Sequence, residues 1–216
     1  MNGFYMRFAL AWLMGVVVGC SSAPVRYYTL TPPPDKALPA SDTSLAIDVR
    51  VVHTPPQLNR PELMVRTGPT EVTLLENERW ASPLKDEIKD AVRLELRRRF
   101  SRMSGPRPAL PKLTIYIDVQ HLEAELGRYA LLEVSWSATS STPGQRSNGG
   151  QATTCTFQAD EKISAGYARM VEGYQREVAA FADAIVAVLT NTASGVDAAC
   201  QKPIEASGGG AGAEGH

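Results

Sequence analysis

Histidine and cysteine are both scarce in this chain of 216 residues, which has three of each. The histidines, His53, His121 and His216, lie far apart, and none has a partner at a metal-binding spacing such as H-x-x-x-H. The sequence also lacks a G-x-S-x-G elbow and a glycine-rich loop of the kind that cradles phosphates. We therefore predict no catalytic residue, no metal site and no cofactor.

An excess of charge of one sign is absent as well. The chain has 22 basic and 23 acidic residues, for a net charge of −1. Nucleic-acid binding depends on clustered positive charge that neutralises phosphates, so this composition argues against a nucleic-acid partner.

The chain has no apolar run long enough to span a bilayer. The longest, Phe8 to Val18, has eleven residues, whereas a transmembrane helix needs roughly 20. It follows a short segment with one positive charge, Arg7, and is closed by small residues, which is the layout of a cleaved secretory signal peptide. We assign residues 1–19 to this signal, with translation starting at Met1 or at Met6.

The residues at the cleavage point, Val17-Val18-Gly19-Cys20, resemble the bacterial lipoprotein box. In lipoproteins the cysteine thiol receives diacylglycerol and the freed amine is acylated, often with palmitate, so Cys20 is the predicted lipidation site. Two or three acyl chains hold a domain firmly on a bilayer. The next residue is Ser21, not the aspartate that retains enteric lipoproteins at the inner membrane, which favours the outer membrane. The alternative is an ordinary signal peptide with an incidental cysteine.

The other two cysteines, Cys155 and Cys200, have two interpretations. In an oxidising periplasm such a pair can be joined in a disulfide. Alternatively, Cys155 is a buried thiol and Cys200 a free thiol near the tail. A mass shift on reduction and alkylation separates the two.

The rest of the chain divides by composition into three parts. Residues 20–43 form a lipidated N-terminus with a short strand and a Pro-rich spacer, residues 44–192 form one domain, and residues 193–216 form a Gly-rich flexible tail. Alternating apolar residues predict strands, and apolar residues every three or four positions predict two amphipathic helices. The predicted strands cover residues 26–30, 45–51, 64–66, 72–75, 113–119, 132–138 and 151–158, and the helices cover residues 82–100 and 167–189.

This order of elements predicts an α+β domain, a mostly antiparallel mixed sheet with two long amphipathic helices packed on one face. Ser82 is a suitable N-cap for the first helix, and Pro83 suits its first turn. His121, Glu123 and Glu125 follow a predicted strand, where an acid/base pair of a periplasmic enzyme could form. Carboxylates in such loops are usually only solvated, so this is our third choice of function.

Several motifs together resemble the PqiC family, which is described as the auxiliary lipoprotein component of ABC-type transport systems. The resemblance runs from about Cys20 to Leu189. It rests on the lipoprotein box followed by Tyr27-Tyr28-Thr29-Leu30, on Leu58-Asn59-Arg60-Pro61-Glu62-Leu63, and on Asn77-Glu78-Arg79-Trp80-Ala81-Ser82-Pro83-Leu84. This chain differs in its two further cysteines, in residues 142–150 and in its tail.

The resemblance implies a lipoprotein of the outer membrane that faces the periplasm. It implies work with an MCE-domain protein and an inner-membrane transport partner in moving lipids through the envelope and keeping the membrane intact, by docking and not by catalysis. The main alternative is a structural or assembly lipoprotein that supports an outer-membrane protein complex. Formation of a homo-oligomer is compatible with both.

The motif residues Tyr28, Arg60, Arg79, Trp80 and Pro83 have two interpretations. Tryptophan and arginine dominate the energetics of protein interfaces, so these residues can form a docking surface. The structural interpretation, which we favour, is that Trp80 fills the junction between sheet and helix while Arg60 or Arg79 braces a loop and Tyr28 belongs to a strand.

Overall fold

The structure, a computed structural model, describes residues 23–33, 47–102, 112–141, 154–190 and residue 200. The predicted signal peptide, Cys20, most of the Pro-rich spacer, residues 142–150 and the Gly-rich tail apart from Cys200 lie outside the described residues.

The described chain forms seven strands, two helices and a short 3-10 turn at Pro56–Leu58. The helices are α1 (Leu84–Arg102) and α2 (Tyr167–Thr190). The strands are β1 (Arg26–Tyr28), β2 (Ile47–His53), β3 (Glu62–Arg66), β4 (Val72–Trp80), β5 (Lys112–Glu125), β6 (Tyr129–Ser141) and β7 (Thr154–Lys162). Both predicted helices and the predicted order of strands are confirmed.

The strands form two sheets. The first, which we call sheet A, has the order β1-β4-β3, and the second, sheet B, has the order β2-β5-β6-β7. The pairs β1/β4 and β2/β5 are parallel, and the other neighbours are antiparallel. The α+β class with a mostly antiparallel, mixed arrangement is therefore confirmed, with the difference that the strands divide into two sheets.

Both helices lie against sheet B and contact each other. The periodic apolar residues of α1, such as Ile88, Val92 and Leu96, are fully buried, as the spacing predicts. Phe181 of α2 packs between Trp136 of β6 and Phe157 of β7, with ring centroids 6.1 Å and 5.1 Å apart. The main core therefore lies between sheet B and the two helices.

Several strands are longer than the sequence pattern predicts, among them β3, β4, β5 and β6. Strand β4 continues from Val72 through Trp80 instead of ending near Leu75, because Trp80 donates its backbone N–H to the Pro61 carbonyl (2.8 Å) and β1 pairs alongside. Strand β5 continues through His121 to Glu125, because β6 pairs with it along its full length. The residues predicted to lie in a loop after β5 are thus part of the strand.

Candidate functional site

The N-terminal segment, residues 26–33, is built into the fold at the point where sheet A meets the helices. Strand β1 lies parallel to the end of β4, with Arg26 beside Glu78 and Tyr28 beside Trp80. The backbone N–H of Ala81 donates to the Tyr28 carbonyl at 2.7 Å. A strand of only three residues is held here by pairing along its whole length.

Glu78 provides the first polar fastening of this segment. Its carboxylate is buried, and it accepts hydrogen bonds from Nε of Arg26 (2.9 and 3.0 Å) and from the hydroxyl of Tyr28 (2.7 Å), and a further contact from Arg26 Nη2. Burial by itself would raise the pKa of Glu78, but these hydrogen bonds and the charge of Arg26 outweigh it, so the pKa lies below its ordinary value. The carboxylate is therefore ionised and fully partnered at neutral pH.

Glu87, in the first turn of α1, provides the second fastening. One of its oxygens accepts hydrogen bonds from the hydroxyl of Thr29 (2.7 Å) and the backbone N–H of Leu30 (2.9 Å). The other accepts one from the hydroxyl of Ser82 at 2.7 Å. Ser82, the predicted N-cap of α1, thus donates its hydroxyl to the Glu87 side chain. We call Glu78, Glu87 and their donors Arg26, Tyr28, Thr29, Leu30 and Ser82 the N-terminal clamp.

The clamp continues onto both helices. Gln175 of α2 donates to the Thr29 carbonyl at 3.0 Å, and Arg98 of α1 donates to the Pro33 carbonyl at 3.2 Å. Leu30 is 1% exposed and belongs to the core. The segment is therefore attached to sheet A, to α1 and to α2 within eight residues, so it cannot swing relative to the domain without breaking buried contacts.

Trp80 lies at the centre of this junction. Its side chain is 6% exposed, and its ring lies 6.3 Å from that of Tyr174 in α2, with the planes inclined by 44°. A small cleft beside it, lined also by Leu122 and Met170, has room for about one water molecule. Trp80 thus fills the contact between sheet A and α2.

The other motif residues lie at the surface around Trp80. Arg79 is half-buried, donates from Nε to the Glu76 carbonyl (3.1 Å) and lies 3.6 Å from the Glu62 carboxylate. Pro83 is exposed, and its carbonyl accepts hydrogen bonds from the backbone N–H groups of Asp86 and Glu87. Arg60 is exposed. The structure thus brings Tyr28, Arg79, Trp80 and Pro83 together around the clamp.

The three groups named as an acid/base candidate lie along β5, and each pairs with a different residue, Glu125 with Arg128 at 2.6 Å. His121 lies on β5 with Nδ1 at 2.9 Å from the Glu133 carboxylate, at the surface. Glu123 accepts hydrogen bonds from Arg66 (3.1 and 2.6 Å) and from the hydroxyl of Tyr129 (2.7 Å). Glu123 of β5 therefore forms an ion pair with Arg66 of β3 and links the two strands.

A further buried acid, Glu177, was not predicted from the sequence and lies outside the motifs quoted for the family. Glu177 of α2 is 1% exposed, and neither of its oxygens has a hydrogen-bond partner in the described part of the chain. Burial raises its pKa to about 9, and the nearby Glu161 and Asp160 carboxylates add to the shift. The backbone of Glu161 and the charge of Arg176 lower the pKa of Glu177 but do not cancel the shift. Glu177 is therefore a neutral acid at pH 7.

In the structure Cys155 of β7 and Cys200 are joined in a disulfide, with their Cα atoms 4.8 Å apart. That separation lies within the range that disulfides require. The bond ties the chain beyond α2 to an inward-facing position of sheet B.

Within residues 23–33, 47–102, 112–141 and 154–190, no three histidine, cysteine, aspartate or glutamate side chains are grouped so that they could hold a metal ion. None of the described helices combines the length and hydropathy that crossing a membrane requires.

Residues 28–186 match the family model described as "ABC-type transport auxiliary lipoprotein component". A crystal structure of an uncharacterized protein superposes with a TM-score of 0.59 at 18% identity, covering 77% of this chain and 99% of the other. A crystal structure of a protein from Xanthomonas campestris superposes with a TM-score of 0.53, also at 18% identity, covering 80% and 97%. No curated protein matches the chain. The two structures support the fold, and the matched range includes the clamp from Tyr28 onward.

Proposed function

Since this chain belongs to the family of ABC-type transport auxiliary lipoprotein components, we propose that it is a lipid-anchored accessory subunit of an envelope lipid transport system. It is held to the outer membrane by acyl chains on Cys20 and faces the periplasm. It acts by docking to an MCE-domain protein and to an inner-membrane transport partner, and it carries out no reaction of its own.

The observation that carries this proposal is the N-terminal clamp. Only five residues lie between Cys20 and Arg26, and the six steps from one to the other, at about 3.5 Å each, span at most ~20 Å. From Arg26 onward the segment is attached to sheet A and both helices. In a domain anchored at Cys20, such an attachment would limit how far the domain can turn relative to the membrane, which suits an adaptor that docks to a partner.

The clamp also explains why the motif lies where it does. Tyr28 and Trp80 sit side by side in neighbouring strands, and Ser82 and Glu87 join the end of β4 to the start of α1. The residues around this junction therefore set the position of the domain relative to its anchor. This supports the structural interpretation of Trp80. Arg60, which is exposed shortly before β3, is a motif residue that remains available to contact a partner.

The first experiment purifies the acylated protein from its membrane. Mass spectrometry should find diacylglycerol and a fatty acyl group on Cys20, and crosslinking followed by pull-down should recover an MCE-domain protein. Recovery of an outer-membrane β-barrel instead would support the alternative role in assembly. A bare Cys20 thiol would refute the anchoring part of the proposal.

The second experiment lengthens the tether. A flexible Gly/Ser linker of about 20 residues between Ser22 and Ala23 adds roughly 25 Å of mean reach. The variant should be acylated and should fold as the wild type does. It should no longer recover the MCE partner in a pull-down, and it should no longer support the membrane barrier. The matched control places the same linker after Thr192, where we expect no loss. Equal function of both variants would show that a short tether is not required.

A further inference from the structure

Four large apolar side chains are exposed at one place in the described chain. They are Val25, Tyr27, Val72 and Leu74, which are 41%, 65%, 49% and 39% exposed. All four belong to β1, to β4 or to the residue that precedes β1. We call them the apolar strip.

The strand register places these residues on one face of sheet A. In β3, Leu63 and Val65 are buried, while Glu62, Met64 and Arg66 face the other way. Val72 pairs with Arg66, Leu74 with Met64, and Arg79 with Glu62, so these β4 residues share the outward face. Tyr27 pairs with Arg79 and joins them. Val25, two residues before Tyr27, follows by the period of a strand.

The direction of the strands fixes the side from which the chain enters β1. The turn at residues 67–71 closes the β3–β4 hairpin, and β4 runs from this turn toward Trp80. Because β1 is parallel to β4, its first residue points back toward the turn. The register pairs residue 26 with residue 78. The chain therefore enters β1 from the side of the hairpin turn.

We propose that the apolar strip rests on the surface of the bilayer into which the acyl chains of Cys20 insert. The proposal rests on the proposed function, because it requires the lipid anchor. Cys20 is at most ~20 Å from Arg26, and the chain enters β1 from the side of the hairpin turn, so the turn and the strip are within reach of the lipid headgroups. Tyrosine and aliphatic side chains suit this interface, because their apolar part enters the acyl boundary and the hydroxyl stays hydrated.

The charges around the strip indicate what kind of lipid surface it meets. Glu71 and Glu76 are exposed near it, whereas Arg26 is paired with Glu78, and Arg66 with Glu123. The described tip therefore has no excess of positive charge to attract anionic lipids. We infer an apolar contact that zwitterionic phospholipids support fully and that added anionic lipid or salt changes little.

The test uses the full acylated chain in phosphatidylcholine vesicles. An environment-sensitive dye is attached to a new cysteine at Thr70→Cys in the hairpin turn. A second protein carries it at Thr139→Cys, on the far part of β6. Both positions are exposed. We expect blue-shifted emission at position 70 that is quenched by lipid-borne quenchers, and neither effect at position 139.

The matched variants decide which residues make the contact. Val72→Asp with Leu74→Asp should abolish the shift and the quenching at position 70 while the protein still floats with the vesicles. Thr73→Asp, which adds a charge to the same strand off the strip, should retain both. Unchanged thermal unfolding of each variant shows that the hairpin has not simply come apart.

Each other outcome overturns the inference in a recognisable way. Flotation without a shift or quenching at position 70 removes the membrane contact and leaves the anchor and the proposed function standing. A shift that depends on protein density and not on lipid quenchers assigns the strip to a second copy of the chain. Failure to float removes the anchor, and the proposed function falls together with the membrane contact.

Discussion

Glu87 of α1 and Glu177 of α2 are both buried glutamates, yet their surroundings differ completely. Glu87 accepts three hydrogen bonds, from Thr29, Leu30 and Ser82, and links the N-terminal segment to the domain. Glu177 accepts none from the described residues and has its pKa raised to about 9 by burial. A buried acid costs free energy unless its oxygens are partnered.

Glu87 therefore stabilises the fold through its hydrogen bonds, whereas Glu177 is buried without such compensation. The partners of Glu87 come from two separate places in the chain, residues 29–30 and Ser82, which makes it a structural connector. Glu177 avoids the cost of a buried charge by staying protonated, and it still leaves polar atoms unpaired. Substitution should therefore destabilise the protein at the clamp and stabilise it at Glu177.

The largest effect is expected where the two regions meet, at Trp80. Trp80→Ala removes a buried ring that packs on Tyr174, three residues before Glu177. We expect a loss of about 3–5 kcal/mol in the free energy of unfolding, measured by chemical denaturation. The control is Tyr27→Ala, on the exposed residue beside β4, which should change stability by less than about 0.5 kcal/mol. Normal stability of Trp80→Ala with loss of partner recovery would make Trp80 an interface residue.

The next effect tests the clamp itself. Glu87→Ala leaves the buried N–H of Leu30 without an acceptor, which should lower the free energy of unfolding by about 2–3 kcal/mol. Hydrogen exchange at Leu30 should become faster even where the rest of the fold is intact. Glu87→Gln keeps one carbonyl acceptor and should lose less. Equal stability of wild type and Glu87→Ala would show that the N-terminal segment is not held by this carboxylate.

Glu177→Gln should have the opposite sign. The unfolded chain releases the Glu177 proton near pH 4.5, whereas the folded chain keeps it until about pH 9. Between these values the unfolded state binds fewer protons, so the stability of the wild type falls as pH rises. The variant has no acid group at this position, so we expect it to be more stable than the wild type by about 1–2 kcal/mol near pH 7.5. The gain is no larger because the amide still buries unpaired polar atoms.

The advantage of Glu177→Gln should shrink toward pH 5 and disappear below the ordinary pKa of glutamate. Denaturant unfolding across this range measures it. Glu172→Gln, a half-buried position on the same helix, is the matched control. A constant difference between wild type and Glu177→Gln at every pH would contradict a raised pKa.

The smallest effect is expected for Glu78→Gln. The pKa of Glu78 is lowered in the folded state, so its ionised form contributes stability above about pH 4.5, and this is lost as pH falls through the folded pKa. Arg26, its cationic partner, is mostly exposed, so solvent screens the pair and the contribution is small. The variant should be less stable than wild type near pH 7 and indistinguishable from it in acid. Glu76→Gln, exposed on the same strand, should match wild type throughout.

Periodicity in the sequence predicted most of the elements, because a strand or helix that buries one face must repeat its apolar residues at a fixed interval. The centres of β5 and β6 and almost the whole of α2 were found in this way. This pattern did not predict that Trp80 lies in a strand, because Asn77-Glu78-Arg79-Trp80 shows no alternation and precedes a helix start. Only the pairing of β4 with β1 and the bond to Pro61 make it a strand.

The candidate site was predictable in part. Tyr28, Arg79, Trp80 and Pro83 were named from motif resemblance, and the structure places them around one junction. Glu78 lies inside the quoted motif, but nothing in the neighbouring sequence marks it as a connector. Glu87 lies in the first turn of α1, where an acid is favourable in any helix. Their function as connectors depends on donors up to 58 residues away in sequence, which no local pattern can reveal.

The sequence by itself determined the lipoprotein motif, the extent of both helices and the alternating strands, because each depends on residues that are neighbours along the chain. Tertiary structure decided the division into two sheets, the partners of Glu78, Glu87 and Glu177, and the placement of Val25, Tyr27, Val72 and Leu74 on one face. These features arise from pairing between distant segments, whose register and direction are settled only when the whole core is packed.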